Sequence, residues 1–146
     1  MALIKNKKAY FNYEILEKFE AGIKLLGFEV KSIKQGHGSL RGAYAIIKES
    51  EIFLVNAYIP PYQPANAPKD HDPYRERRLL LNKKEIARLV GFEKQKGLTI
   101  VPLSMYNKRG KIKVEIAVAR GKKKHDKREV IKKRDMEREI GRKLKG

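Results

Sequence analysis

The chain has no cysteine. That excludes disulfides and thiolate zinc sites, and it fits a reducing compartment. No apolar run approaches the roughly 20 residues that cross a bilayer as a helix. No apolar block of signal-peptide type stands at the N-terminus, which argues against export. The expectation is a cytoplasmic protein with no membrane partner. A phosphate-cradling Gly-Lys-Ser/Thr motif is missing, which argues against an NTPase. There is no repeat and no low-complexity segment. Proline is scarce outside one stretch: five of the six lie between Ile59 and Pro73. That stretch reads as an ordered but irregular connection, too long for a simple turn.

Acidic residues are also few. Asp and Glu number 17 against 35 Lys and Arg, a formal net charge of +18 in 146 residues. Such an excess strains a compact state by self-repulsion unless a polyanion neutralises it. Nucleic acid is the leading candidate, and an anionic lipid surface is second. The excess is uneven. From Arg120 to Gly146 there are 13 Lys/Arg and 5 Asp/Glu, a net of +8, leaving +10 for the other 119 residues. Body and tail are therefore read separately, as residues 1–121 and 122–146.

The body has enough apolar residues, 41%, for a core. Tyr10–Phe19 alternates apolar and polar residues as a strand does, with Phe11, Tyr13 and Phe19 on one face. Two β-rich runs flank Lys48-Glu49-Ser50-Glu51 at hairpin spacing. In Lys111–Arg120, Ile112, Val114, Ile116 and Val118 face one way, while Lys111, Lys113 and Glu115 face the other. The preceding strand, Leu98–Tyr106, contains Pro102, which predicts a bulge or an unpaired edge position. Asn82 and Glu85 form a capping pair for a helix with Ile86, Leu89 and Val90 on one face, ending near residues 94–97. Phe28–Gln35 is a shorter helix candidate. The pattern predicts a mainly β fold with flanking helices: an antiparallel, OB-like β-barrel followed by the basic tail.

Three candidate chemistries are weak. Asp70-His71-Asp72 could supply metal ligands, but adjacent residues in an extended loop point apart and no second cluster completes a site. A turn ahead of Pro73 is the plainer reading. His125-Asp126 could be an imidazole oriented by a carboxylate, yet no nucleophile accompanies it and the surrounding charge implies exposure. His37, between Gly36 and Gly38, reads as a loop residue. No catalytic residue, metal or cofactor is assigned.

The cationic and aromatic residues are more informative. Asn6-Lys7-Lys8, Lys31 with Lys34, the Arg75–Arg78 run with Arg77 and Arg78, and Lys122-Lys123-Lys124 form separate clusters. Tyr13 and Tyr44 supply rings near some of them. Cations of this kind hold phosphates and rings stack on bases. Any one charge run can be just a solvated face, but four in a small protein favour an RNA surface. Glu20, a carboxylate ahead of a glycine, can accept hydrogen bonds from an exocyclic amine or ribose hydroxyl, where a cation is useless.

Several stretches resemble the SsrA-binding protein (small protein B) family. They are Asn6-Lys7-Lys8-Ala9, Phe19-Glu20-Ala21-Gly22-Ile23, Glu29-Val30-Lys31-Ser32, Asp72-Pro73, Arg78-Leu79-Leu80-Leu81-Asn82-Lys83 and Val101-Pro102-Leu103. Ala119-Arg120-Gly121-Lys122-Lys123, His125-Asp126-Lys127-Arg128 and Arg134-Asp135 complete the match. The resemblance implies binding to transfer-messenger RNA (tmRNA, the SsrA RNA) through its tRNA-like domain. It implies delivery to the A site of stalled ribosomes in trans-translation, with elongation factor Tu on the same RNA. It also implies an RNA-binding protein, not an enzyme. Asn6, Lys7, Glu20 and Leu80 match positions tied to RNA binding, and Tyr13 and Tyr44 match aromatic ones. His125, Asp126, Lys127 and Arg128 match the segment that engages the ribosome, including small-subunit RNA, with Lys132, Lys133, Arg134 and Arg138 among the same tail's cations. Tyr10 and Phe11 depart from the basic or histidine residues usual there.

In the tail, Val130, Met136, Ile140 and Leu144 fall within a third of a helical wheel. That stripe is too thin to offset ordering entropy in isolation. The tail is expected to be disordered when free and helical once RNA phosphates neutralise it on the ribosome. The excess charge favours a monomer. A generic OB-like ribosomal or assembly protein that binds ribosomal RNA is the alternative.

Overall fold

A computed structural model describes residues 2–63 and 68–122. In chain order the elements are β1 (Ala2–Lys5), α1 (Ala9–Asn12), β2 (Tyr13–Ile23), α2 (Gly27–Lys34), β3 (Tyr44–Lys48), β4 (Glu51–Val55), β5 (Arg77–Leu80), α3 (Lys83–Glu93), β6 (Leu98–Lys108) and β7 (Lys111–Gly121). The strands pair edge to edge in the order β1-β6-β3-β4-β5-β2-β7, and a further β6–β7 pairing turns the sheet into a ring. Every pairing is antiparallel. The mainly β antiparallel architecture with flanking helices is thus the one the strand pattern predicts. Among the described residues no helix is long and apolar enough to cross a membrane.

The longest ladders join β7 to β2 and β6, and they follow from β7's alternation. Ile112, Val114, Ile116 and Val118 enter the main core with Phe19, Ile52, Leu54, Leu79, Leu89 and Met105. A buried Val or Ile side chain contributes about 1.5–3 kcal/mol relative to exposure, so this face dominates the stability of the ring. The opposite face of β7 is also covered. Ala117 and Ala119 pack with Ala9, Val101 and Leu103 in a second, smaller cluster, flanked by Tyr13 and Ile15. Small side chains on β7 let α1 lie close against this outer face.

Both sharp hairpins are two-residue turns with left-handed backbone at each position. Glu49 and Ser50 have φ of 50° and 63°, and Arg109 and Gly110 have 52° and 81°. This geometry matches the twist of the flanking strands. At Pro102, which has no N–H for the ladder, the β6–β7 register shifts between Pro102 and Ser104. That is the bulge the proline predicts. Asn82 caps α3 as expected: its side chain accepts from the Glu85 amide at 2.8 Å, and its own amide donates to Glu85 Oε1 at 3.3 Å.

Three local readings need correction. The Tyr10–Phe19 strand starts only at Tyr13, because residues 9–12 form α1. Phe11 therefore belongs to a helix and not to the face of Phe19. A register shift between Ile15 and Glu17 then changes the phase of β2, leaving Leu16 exposed. Neither β1 nor β5 has enough alternation to be read in advance. The second of the two β-rich runs, whose apolar letters continue to Ile59, is strand only to Val55: Asn56 turns at φ 66°, and Tyr58 makes an isolated bridge to Ser39.

Candidate nucleic-acid interface

The loop between β1 and α1 begins the site. Asn6 donates its backbone amide to the Leu103 carbonyl at 2.8 Å, and its Nδ2 to the Pro102 carbonyl at 2.9 Å and Leu40 at 3.4 Å. The bulge leaves those strand carbonyls free to accept, and Asn6 satisfies them. This fixes the direction in which Lys7 and Lys8 leave the sheet. Residues 6–9, Phe11, Asn12 and Tyr13 then form one wall of an open groove of about 820 Å³. The other wall is Arg41, Gly42, Ala43 and Tyr44, with Thr99 on the floor. Asn6, Lys7, Lys8, Tyr13 and Tyr44, separate in sequence, therefore meet in one place.

What sets this groove apart is the convergence of its cations, which come from two loops and have no carboxylate partner among the described residues. Lys18, Lys48, Arg78, Arg88 and Lys108 each have a carboxylate within 4.0 Å. Among the described residues no ion pair engages Lys5, Lys7, Lys8 or Arg41. Like charges converging without internal counterions favour an external anion. Tyr44 is 42% exposed and stands at the rim. Arg41 carries no signal in the sequence: as a single cation before Gly42 it belongs to no charge run.

A second patch lies where β2, β5 and β7 meet. Glu20 and Gly22 project from the same face of β2. Glu20 accepts from the Tyr106 hydroxyl and from Lys108 Nζ at 3.1 Å. The Tyr106 hydrogen bond first, and then that from Lys108, hold its carboxyl below the usual range. Burial, then the bond to Glu20, pushes the Tyr106 phenol up, so it stays a donor. Gly22 sits under Leu80: a Cβ there would lie 3.3 Å from Leu80 Cβ and 3.7 Å from Lys113 Nζ. Leu80 is 44% exposed, a large apolar side chain displayed beside a carboxylate and cations.

Other expected positions lie elsewhere. Arg77 does not reach the surface, which corrects its assignment to an RNA contact. It is fully buried and donates to Glu29 Oε2 from Nε at 2.8 Å, and to the Ala57 and Pro73 carbonyls at 2.9 Å each. Arg78 is half-buried and pairs with Glu51 at 3.3 Å. Lys31 lies on α2 with its ammonium 5.8 Å from the Tyr62 ring, and Lys34 ends the same helix. Neither lines the groove. Lys122 leaves β7 against α1, its amide donating to the Asn12 carbonyl at 2.9 Å and its Nζ to that of Tyr10 at 3.0 Å. Asp70-His71-Asp72 is a turn: Asp72 Oδ1 accepts from the Tyr74 amide at 2.9 Å, and the His71 ring meets Phe28 edge-on. Lys123, Lys124, His125, Asp126, Lys127, Arg128, Lys132, Lys133, Arg134 and Arg138 lie outside the described residues, as do the order and helicity expected of the tail.

An antiparallel ring carrying an unneutralised cationic groove edged by aromatic rings defines a polyanion-binding β protein. The comparisons with known proteins make the class specific. The family model for SmpB protein matches residues 3–146, and the chain belongs to that family. It is 55% identical over 141 residues to the SsrA-binding protein of Persephonella marina, covering 97% of this chain and 92% of that one. It is 54% identical over 140 residues to the SsrA-binding protein of Trichodesmium erythraeum, covering 96% and 90%. A chain solved in a study of tmRNA–SmpB at the center of the bacterial ribosome superposes with a TM-score of 0.70 and 44% identity, covering 88% of this chain and 93% of that one.

Proposed function

We propose that this protein binds tmRNA and acts with it on the ribosome in trans-translation. The unneutralised cationic groove of Lys7, Lys8 and Arg41, in a chain whose relatives are SsrA-binding proteins, carries this reading. The body grips the tRNA-like domain of the RNA. Cations of the groove hold phosphate, Tyr13 and Tyr44 offer ring surface, and the Glu20–Leu80 patch reads features that cations cannot. The complex enters the A site of a stalled ribosome and supports tagging and release. Elongation factor Tu rides on the same RNA. The protein acts as a cytoplasmic monomer and contributes no catalysis of its own.

The two parts of the chain have separate duties on this reading. Residues 1–121 bind free RNA. Residues 122–146 engage small-subunit RNA after entry, becoming helical as their charge is neutralised. Sequencing the RNA captured with the protein from its own cells tests the first part. A dominant transcript with a tRNA-like end and an internal reading frame is expected, and a population resembling bulk tRNA would overturn the proposal. Deletion of residues 122–146 tests the second. Affinity for the free RNA should change by less than about 30-fold, or about 2 kcal/mol, while tagging is abolished.

A further inference from the structure

Tyr58 and Tyr74 are both exposed, at 36% and 52%, yet their rings lie 5.1 Å apart at 42°. Water-facing aromatic pairs in a protein of this charge need a reason, and their backbones are fixed. Tyr58 exchanges both hydrogen bonds with Ser39, at 2.8 and 2.9 Å. Gly38, at φ 149°, permits that approach, since a Cβ there would lie 3.0 Å from the Tyr58 carbonyl oxygen and closer still to Ile4. Tyr74 is held from the other side, its amide on Asp72 and its neighbour Arg75 clamped to Glu29. The pair is a preorganised plate.

What lies beside it is cationic. Ser39 lines a cleft of about 160 Å³ with Lys5, Asn6, Lys7, Lys8 and Arg41. Directly paired residues of an antiparallel bridge project to the same side, so the Tyr58 ring rises next to that cleft. Four cations without ion pairs among the described residues thus adjoin Tyr58, whose ring leans against that of Tyr74. Single-stranded nucleic acid is recognised by this combination: cations follow the phosphates while rings take the bases.

We infer that Tyr58 and Tyr74 form a stacking subsite for one unpaired base of bound RNA, whose flanking phosphates sit in the Lys5–Arg41 cleft. The inference rests on the RNA-binding reading above and extends the interface past the groove rim. The subsite is tolerant of base identity, because every base has a face to stack.

The test uses the full chain and a uridine octamer with a central 2-aminopurine, whose fluorescence falls on stacking. The unaltered protein should quench the probe. Y58A/Y74A should lose the quench and bind the octamer about 5- to 150-fold more weakly, the range for one lost base–ring stack. Its log–log salt slope should stay unchanged, because the phosphate contacts remain. Y58F/Y74F, which keeps the rings, should behave as the unaltered protein. Equal affinity and equal quench in Y58A/Y74A would overturn the inference and leave the plate to a protein partner. Absence of quench in the unaltered protein would overturn it too. If the double variant melts early, Y74A alone decides by the same two readouts. Failure of the unaltered protein to prefer the tRNA-like domain over bulk tRNA is a separate result: it sinks the proposed function, whereas the octamer speaks only to the plate.

Discussion

Glu29 and Arg77 meet in the interior with neither side chain exposed, and the contact ties α2 to β5. The carboxylate also accepts from the Leu26 amide and from Arg75. Arg77 meanwhile holds the Ala57, Pro73 and Arg75 carbonyls, so one ion pair pins both ends of the proline-rich connection. Losing Glu29 strands the buried Arg77 charge, at a cost of about 3–5 kcal/mol, whereas losing Arg77 leaves the carboxylate to Arg75 and the Leu26 amide. E29Q should therefore lower the urea midpoint sharply, and by more than R77M does. E29Q/R77M should recover much of the E29Q loss, because no fully buried charge remains without a partner.

The same carboxylate sets an acid limit on stability. Burial pushes the Glu29 carboxyl up, but hydrogen bonds from Arg75, the Leu26 amide and Arg77 together outweigh it and hold it below its ordinary value. A depressed folded value means the contribution is complete above the unfolded value, about 4.3, and fades as pH falls through the lower folded one. Urea unfolding of the unaltered chain and E29Q should differ by a constant amount from pH 7 to about 5. The gap should narrow only in more acidic solution. A gap that closes near neutrality would contradict the arrangement.

Asn6 has a structural duty that a binding assay alone would misread. N6A removes the donor to the Pro102 carbonyl and should cost about 1 kcal/mol of stability. N6D should cost more, since it places a carboxylate oxygen against that carbonyl. Thermal melts measured beside RNA titrations separate the two effects. Weak RNA binding without any loss of stability would mean that the side chain matters only to the ligand.

The groove cations should reveal themselves by salt dependence. If Lys7, Lys8 and Arg41 each hold one phosphate, K7A/K8A/R41A should reduce the log–log salt slope for tmRNA by about 2–3. K83A/K84A/K94A, which removes three exposed cations of α3 and its C-terminus, should leave the slope nearly unchanged. Equal slopes in both triple variants would mean that the groove is no more than part of a diffuse charge.

Glu20 and Leu80 make the opposite kind of prediction. E20A makes the protein more basic, so general attraction to RNA should rise. Preference for the tRNA-like domain over bulk tRNA should nevertheless fall, because Tyr106 and Lys108 lose their acceptor and the carboxylate no longer meets donors on the RNA. L80A should weaken specific binding too, while changing stability by no more than about 0.5 kcal/mol for so exposed a side chain. Competition titrations against bulk tRNA give both ratios.

How much of this was legible depended on whether the cause was local. The β7 alternation, the Asn82–Glu85 cap and the Pro102 bulge each follow from neighbouring residues, and each is found. The helix at residues 9–12 is too short to carry a period, so its strand-like letters misled. Arg77 is illegible for a different reason. Its neighbours Arg75, Glu76 and Arg78 look like a solvated run, and the carboxylate that buries it stands 48 residues earlier. Arg41 lacked a cluster, and the Tyr58–Tyr74 plate depends on two loops that only the ring brings together. Local chemistry wrote the elements; distant pairing wrote the surface.

The ring has an uneven circumference. β6 and β7 are zipped from Leu98–Arg120 to Lys108–Lys111, but β3 meets β6 through the single pair Ala45–Ile100. The ring is thus a clasp with one light stitch. Thermal breathing should begin at that stitch, and amide protons beside Ala45 should trade with solvent long before those along β7. Tyr44 stands next to the stitch, so RNA seated against that ring would also fasten the clasp.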